Sequence, residues 1–314
     1  MPQNSHYEEL CEQLKLIRDR VRGVIHRHAN GLYLFGRAGT SKTYTVRSTL
    51  DKLGVSYAFA SGHLTPIGLF ELISENRDRV IVLDDITSIF GQPIALQLLL
   101  SAIGNPHNGS HTRTIRYKTA KGDRLVHFTG GIIAIANLPL IGHHGAVLQA
   151  LRDRMNVVEY EPSDAQICSL IFHLADGGMP GVSPENARMV AEFVIGEAQR
   201  LGLRPSLRLF VDKAIPDYRL FAAGLTETDW HDLVRSSVQQ QVVALEHPTK
   251  DLTRAEQMQA ERRIALEIAS NFETLPQRAA EWHRRTGKSQ SAYFRRLAES
   301  RQESVPTGNA RRAG

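Results

Sequence analysis

The chain predicts an α/β protein: a parallel sheet with helices on both faces, then a helical domain and a small basic all-α segment. Three observations point there. Short apolar runs at 32–35, 57–60, 80–83, 132–136 and 157–160 alternate with stretches of helical spacing, the pattern that builds parallel sheets. Val80, Ile81, Val82 and Leu83 form a purely apolar run, as a strand does when helices cover both sheet faces. After Pro162 such runs stop, and only helical patterns follow.

Each element has a local reason. From Ser5 to His28, Leu10, Leu14, Ile17, Val21 and Val24 recur at helical spacing, so the segment reads as an amphipathic helix. Gly31 breaks it before the first strand. A glycine-rich loop leads into a helix over 43–53. Thr65-Pro66 opens a helix to Glu75, and another runs from Pro93 to Ile103. Alternation over 112–117 and 124–128, with Lys121, Gly122 and Asp123 between, reads as a β-hairpin. Beyond Pro162, helices are expected over 164–174, 184–201, 205–211 and 227–245, and an all-helical segment begins near Ala255. The expected division is an N-terminal helix (1–29), an α/β domain (30–161), a helical lid (162–248), a basic helical segment (249–305) and a disordered tail (306–314).

Composition narrows the classes. The 314 residues are 42% hydrophobic and 23% charged, the balance of a soluble globular protein. No run of 18 apolar residues reads as a membrane span, and the acidic start, 1–9, does not read as a secretory signal. Cys11 and Cys168 read as reduced thiols, and a cytoplasmic location is expected. Thirteen histidines lack a carboxylate or cysteine framework, so no metal site is read from them. Net charge is +5. Residues 274–312 hold nine Lys/Arg against three acids, a local excess that points to a polyanionic partner.

Gly36, Arg37, Ala38, Gly39, Thr40, Ser41, Lys42 and Thr43 stand between a strand and a helix. That is the G-x-x-x-x-G-K-[ST] phosphate loop, whose backbone N–H groups and helix N-terminus cradle phosphate. Lys42 is positioned to reach the β and γ phosphates and the Thr43 hydroxyl to ligate Mg²⁺. Ser41 occupies the place where the pattern has glycine. The third strand ends in Asp84-Asp85, the Walker B arrangement, and the strand 132–136 ends in Asn137.

In this order and spacing, the motifs resemble the AAA+ family of P-loop ATPases over residues 30–245. The resemblance implies an ATPase using ATP and Mg²⁺, with Gly36, Ala38, Gly39, Thr40, Ser41, Lys42, Thr43 and Asp84 around the nucleotide and Thr43 and Asp84 at the metal. Asp85 polarises the attacking water. Family members usually have Glu there, so the shorter Asp85 implies slow hydrolysis. Asn137 corresponds to sensor 1. Within 146–155 the family places an arginine finger that enters the neighbouring subunit's site, and Arg154 fits it, with Arg152 in reserve. In Arg204-Pro205-Ser206-Leu207-Arg208, Arg208 fits sensor 2 better than Arg204. Residues 62–66, the Asp84-Asp85 pair and 129–132 look like AAA+ ATPases of bacteriophages and plasmids. A homo-oligomeric ring or spiral, hexameric or heptameric, is implied.

The basic C-terminal segment resembles a helix-turn-helix over 275–300, with 264–268 as its first helix. Trp282, Tyr293, Phe294 and Leu297 are expected in its core, and Lys288, Ser289, Gln290, Arg295 and Arg296 toward DNA. Arg113, Arg116, Lys118 and Lys121 on the hairpin are further DNA-contact candidates. The resulting expectation is an ATPase acting on DNA, or on a protein partner bound to DNA, in a mobile-element process such as replication, transposition or helicase loading. Two other readings stand beside it. A protein remodeller requires an aromatic pore loop, for which Tyr117 is the sole candidate, and a nucleotide-dependent scaffold is suggested by Ser41 and Asp85.

Overall fold

The computed structural model describes residues 2–105, 110–119, 122–140, 145–246, 261, 264–265, 268–269, 272, 274–286 and 288–303. Lys121, the tail 306–314 and the start of the third segment near Ala255 lie outside these residues. The chain divides into two compact units, Met1–Val242 and Val243–Gly314. No helix of the described residues is long and apolar enough to cross a membrane.

The first unit is a mixed α/β fold on a five-stranded parallel sheet. Its strands are β1 (Gly31–Phe35), β2 (Tyr57–Ser61), β3 (Val80–Asp84), β6 (Gly131–Ala136) and β7 (Asn156–Glu159), in the order β2-β3-β6-β1-β7. Side chains alternate between the faces, so the central strands β1, β3 and β6 each feed two cores. Leu32 and Leu34 of β1, Val80 and Val82 of β3 and Ile133 and Ile135 of β6 share one core. Tyr33, Ile81, Leu83, Ile132 and Ala134 share the other. This double burial explains the unbroken apolar runs in the sequence.

On the first face lie α1 (Pro2–Ile25) and α2 (Lys42–Lys52). Leu10, Ile17, Val21 and Val24, the stripe expected of α1, are all buried there. The same core continues into α6 (Asp164–Asp176) and α7 (Pro184–Arg200). Ser163 and Gln166 close a reciprocal capping box at the start of α6, satisfying two helix-end donors. The other face carries α3 (Pro66–Glu75), a 3-10 turn (Thr87–Gly91), α4 (Pro93–Ile103) and α5 (Gly145–Arg152). The antiparallel hairpin of β4 (Arg113–Thr119) and β5 (Gly122–Phe128) inserts Ile115, Val126 and Phe128 into that core.

The helix expected over 205–211 is more complex. It consists of α8 (Leu207–Leu209), a π turn (Phe210–Ala214) and α9 (Ile215–Ala222). Pro216 sits in the first turn of α9 and has no N–H to close an α turn, which accounts for the widened turn before it. The last helix of the unit is α10 (Trp230–Glu246).

In the second unit α11 (Leu275–Thr286) and α12 (Gln290–Glu303) gather Ala265, Ile268, Trp282, Tyr293 and Leu297 into a small core. Phe294, expected in that stripe, is 44% exposed. Tyr293 and Leu297, four apart on α12, take the buried face, and position 294 is rotated off it.

Candidate functional site

The strand order creates the site. β6 lies between β1 and β3, and the register aligns Phe35 with Ala136 and Asp84 with Ile135. Three chain segments therefore leave the sheet level with one another: the loop after Phe35, Asn137 after Ala136, and the Asp84-Asp85 pair. A crevice beyond the carboxyl ends of parallel strands, where neighbouring connections diverge, is where open α/β sheets bind ligands.

The loop after β1 is conformationally demanding. Gly36 has φ 148°, and a Cβ there would lie 1.9 Å from the Tyr160 carbonyl oxygen. Gly39 has φ 74°, and its Cβ would meet Ser206 Oγ at 2.4 Å. Ser41, in the place usually held by glycine, adopts the same left-handed region at φ 73°, ψ 12°. A non-glycine residue there bears about 1 kcal/mol of strain.

Lys42 opens α2 and is 6% exposed. Its ammonium donates to the carbonyls of Gly36 and Arg37, both at 2.7 Å, and to Asn137 Oδ1 at 3.1 Å. None of these partners carries charge. Burial lowers its pKa from 10.5 to about 8, against the opposing pull of Asp85, Glu161 and Asp84. The Thr43 hydroxyl donates to Asp84 Oδ1 at 2.9 Å. Burial raises the Asp84 carboxyl and neighbouring Asp85 adds to this, while the Thr43 hydrogen bond opposes it. Asp85 follows at φ 54°, a region aspartate tolerates better than most residues. Its N–H donates to the Ile135 carbonyl at 2.9 Å. Asn137 Nδ2 donates to both Asp85 oxygens, at 3.0 and 3.2 Å. One amide thus bridges the buried ammonium and the second acid.

A cavity of about 700 Å³ opens over these groups and is lined by Ala38 through Thr43, Asp84, Asp85, Asn137 and Arg208. Its volume suits a ligand of several hundred daltons. Leu170, Leu174, Met179 and Val211 give the wall beyond the loop an apolar character. Leu14, Arg18 and Arg22 of α1 also line it, a contribution sequence reasoning missed. Their spacing of four residues was the available signal.

Arg208 enters the cavity because the start of α8 docks on the loop. Leu207 N–H donates to the Gly39 carbonyl at 3.1 Å. Arg204 points elsewhere, to Asp164 at 2.9 Å and Glu161 at 3.1 Å. Arg37 of the loop reaches the same Asp164 at 2.8 Å, and its N–H donates to Glu161 Oε2 at 2.8 Å. These four residues form a network that the motifs did not reveal. Arg154 lies apart, in the turn after α5, exposed and donating to the Ala150 carbonyl of that helix at 2.8 Å.

Two nucleic-acid candidates are corrected. Arg113 is 5% exposed. It donates to Asn30 Oδ1 at 2.7 Å and to the Gly130 carbonyl, and it packs over the Phe128 ring. Arg296, expected on an open face, is 8% exposed and paired with Glu261 at 2.7 Å and Glu299 at 2.9 Å. Lys288 also pairs with Glu261. Arg116, Lys118, Ser289, Gln290 and Arg295 are exposed.

Magnesium is the metal this donor set fits. A hydroxyl and a carboxylate 2.9 Å apart are hard oxygen ligands, and magnesium typically takes one or two protein oxygens together with substrate phosphates and water. Among the described residues no group of three or more His, Cys, Asp or Glu could hold a metal by itself.

No protein-family model matches the chain. It is 30% identical over 133 residues to an uncharacterized 36.7 kDa protein in the nrdC-mobD intergenic region of Enterobacteria phage T4, covering 38% of this chain and 39% of that protein. The chain thus matches about two-fifths of that relative's length. Among solved structures it is similar to a point mutant of RuvB from Thermotoga maritima, at 15% identity and a TM-score of 0.43, covering 92% of this chain and 87% of that one. It is also similar to Cdc6p from Pyrobaculum aerophilum, at 16% identity and a TM-score of 0.44, covering 95% of this chain and 86% of that one.

Proposed function

We propose that the chain is an AAA+ ATPase that binds Mg-ATP in the cavity over β1, β6 and β3 and hydrolyses it. The observation that carries this reading is the Asn137 bridge, with Lys42 at 3.1 Å on one side and Asp85 at 3.0 Å on the other. It sets a phosphate-binding cation and a water-activating carboxylate on the two sides of one amide group.

Each residue then has a task. The amides of residues 38–43 and the N-terminus of α2 take phosphate oxygens. Lys42 exchanges its two carbonyl partners for the β and γ phosphates, which repays the burial of its charge. Thr43 and Asp84 would hold Mg²⁺, which would supply positive charge to the bound phosphates. Asp85 accepts a proton from water, whose oxygen adds to the γ phosphorus as the bridging bond to the β phosphate breaks, leaving ADP and phosphate. Asn137 keeps Asp85 and that water in place, and Arg208 meets the negative charge from the lid side. Phosphate release by wild type is expected to exceed that of Asp85→Asn by about a hundredfold. Equal rates would leave a binding protein without hydrolysis.

We further propose that the protein works as a homo-oligomer on DNA, in a mobile-element process, with Arg154 entering a neighbouring subunit's site. The basic excess over 274–312 and the exposed Arg116, Lys118 and Arg295 support a polyanionic partner. ATP is expected to strengthen duplex binding at physiological salt, where weak charge contacts are screened. Unchanged affinity argues against this part of the reading.

A further inference from the structure

Arg204 is half exposed, yet its guanidinium engages two carboxylates at once, Asp164 at 2.9 Å and Glu161 at 3.1 Å. Both carboxylates also belong to Arg37, the second residue of the phosphate loop. Glu161 uses one oxygen for Arg204 Nη1 and the other for the Arg37 backbone N–H. Asp164 Oδ1 accepts from Arg37 Nη1 and Arg204 Nε together. Burial would raise the Asp164 carboxyl, but the hydrogen bonds and charges of the two arginines outweigh it and hold it below its usual 3.8. Only Pro205 and Ser206 separate Arg204 from Leu207, whose N–H donates to the Gly39 carbonyl at 3.1 Å. Arg208 enters the cavity one residue later.

The phosphate loop and the start of α8 are therefore joined twice, by a backbone hydrogen bond at Gly39 and by a four-residue ion network. A single exposed pair contributes little. Here two arginines share two acids, Arg204 through Nε and Nη1 and Arg37 through Nη1 and its backbone N–H, and charge-assisted hydrogen bonds from two directions fix orientation as well as distance.

We propose that Arg204 is a positioning residue: through the acids it shares with Arg37, it holds the start of α8 against the phosphate loop and sets Arg208 over the bound phosphates. This rests on the ATPase reading for its consequence but not for its geometry. Movement of the loop on phosphate binding is passed to Arg208 through Asp164 and Glu161. An arginine held by this network reaches the γ phosphate in one position rather than many, which is where orientation lowers a barrier.

Two measurements on the full chain test it. In nucleotide-free protein, Arg204→Gln is expected to speed exchange of the Leu207 amide by at least about tenfold while β1 amides keep their rates. In turnover, Arg204→Gln is expected to lower kcat about tenfold with KM within about threefold, and to add nothing to the loss caused by Arg208→Ala. Arg204→Lys, which keeps the charge but not the fork, is expected to recover only part of the rate. An unchanged Leu207 exchange rate, or losses that add in full in the double variant, would overturn the proposal. A wild type that hydrolyses no ATP removes the ATPase reading instead, and the exchange measurement then decides the clamp alone.

Discussion

Cations gather in two regions of this molecule, and they are held differently. At the carboxyl ends of the central strands, Lys42 is buried but bonded only to uncharged oxygens, and Arg208 has no ion pair among the described residues. In the C-terminal unit, Arg296 and Lys288 are engaged by Glu261, and Arg296 also by Glu299. The first arrangement leaves positive charge to be met by a ligand. The second neutralises it in place and ties Glu261 to α12 and to the turn before it. Counting Lys and Arg along the chain does not separate the two cases, because the deciding quantity is whether a carboxylate lies within reach.

Substitutions can sharpen that contrast. The largest effect is expected for Arg208→Ala: turnover falls about a hundredfold, as for other arginines that meet phosphoryl charge, while the melting temperature scarcely moves. Steady-state phosphate release beside thermal unfolding measures both. Next, Arg296→Ala takes one of two cationic partners from the buried Glu261, Lys288 remaining, and is expected to cost about 1–2 kcal/mol of stability. Neighbouring Arg295→Ala, on the open face, is expected to stay within about 0.5 kcal/mol. Denaturant unfolding of the two variants decides this, and equal losses would erase the distinction.

Acidity provides a subtler probe. Lys42 has its pKa lowered from 10.5 to about 8. Below pH 8 the ammonium is charged and, on the ATPase reading, is available to phosphate. Above it the charge is lost, so ATP affinity should weaken by up to about tenfold per pH unit from 8 upward. Folding stability takes the opposite sign. Between pH 8 and 10.5 the unfolded chain holds the proton more tightly, so this residue's contribution rises with pH. Calorimetric titrations at pH 7 and 9.5, with unfolding at the same values, would show the two trends diverging. The smallest effect is expected for Ser41→Gly. Relief of about 1 kcal/mol of left-handed strain is offset by glycine's added chain entropy, so stability should change by less than about 0.5 kcal/mol.

The sheet was legible because burial on both faces leaves uninterrupted apolar strands. The positions of the glycine-rich loop, Asp84, Asp85 and Asn137 were legible because each falls at the end of such a strand. The lid was less so. The helix expected over 205–211 gave no sign of the π turn, since its cause, Pro216, acts from beyond that window. Arg37, Glu161 and Asp164 are scattered across 127 positions and show no common spacing, so only the folded chain reveals that they meet Arg204. Burial of Arg113 also escaped the sequence. Alternation along β4 marks which residues face inward, and at position 113 the inward side chain is an arginine that finds Asn30 and a carbonyl instead of water.

Equilibrium binding of a fluorescent ATP analogue with magnesium, to wild type and to Lys42→Ala of unchanged circular dichroism, addresses the phosphate site most directly. Removing the ammonium is expected to weaken affinity by about a hundredfold or more, the loss of a charge-assisted contact in a buried site. Equal affinity of the two proteins would mean that the cavity over the ends of β1, β6 and β3 is not where a nucleotide binds.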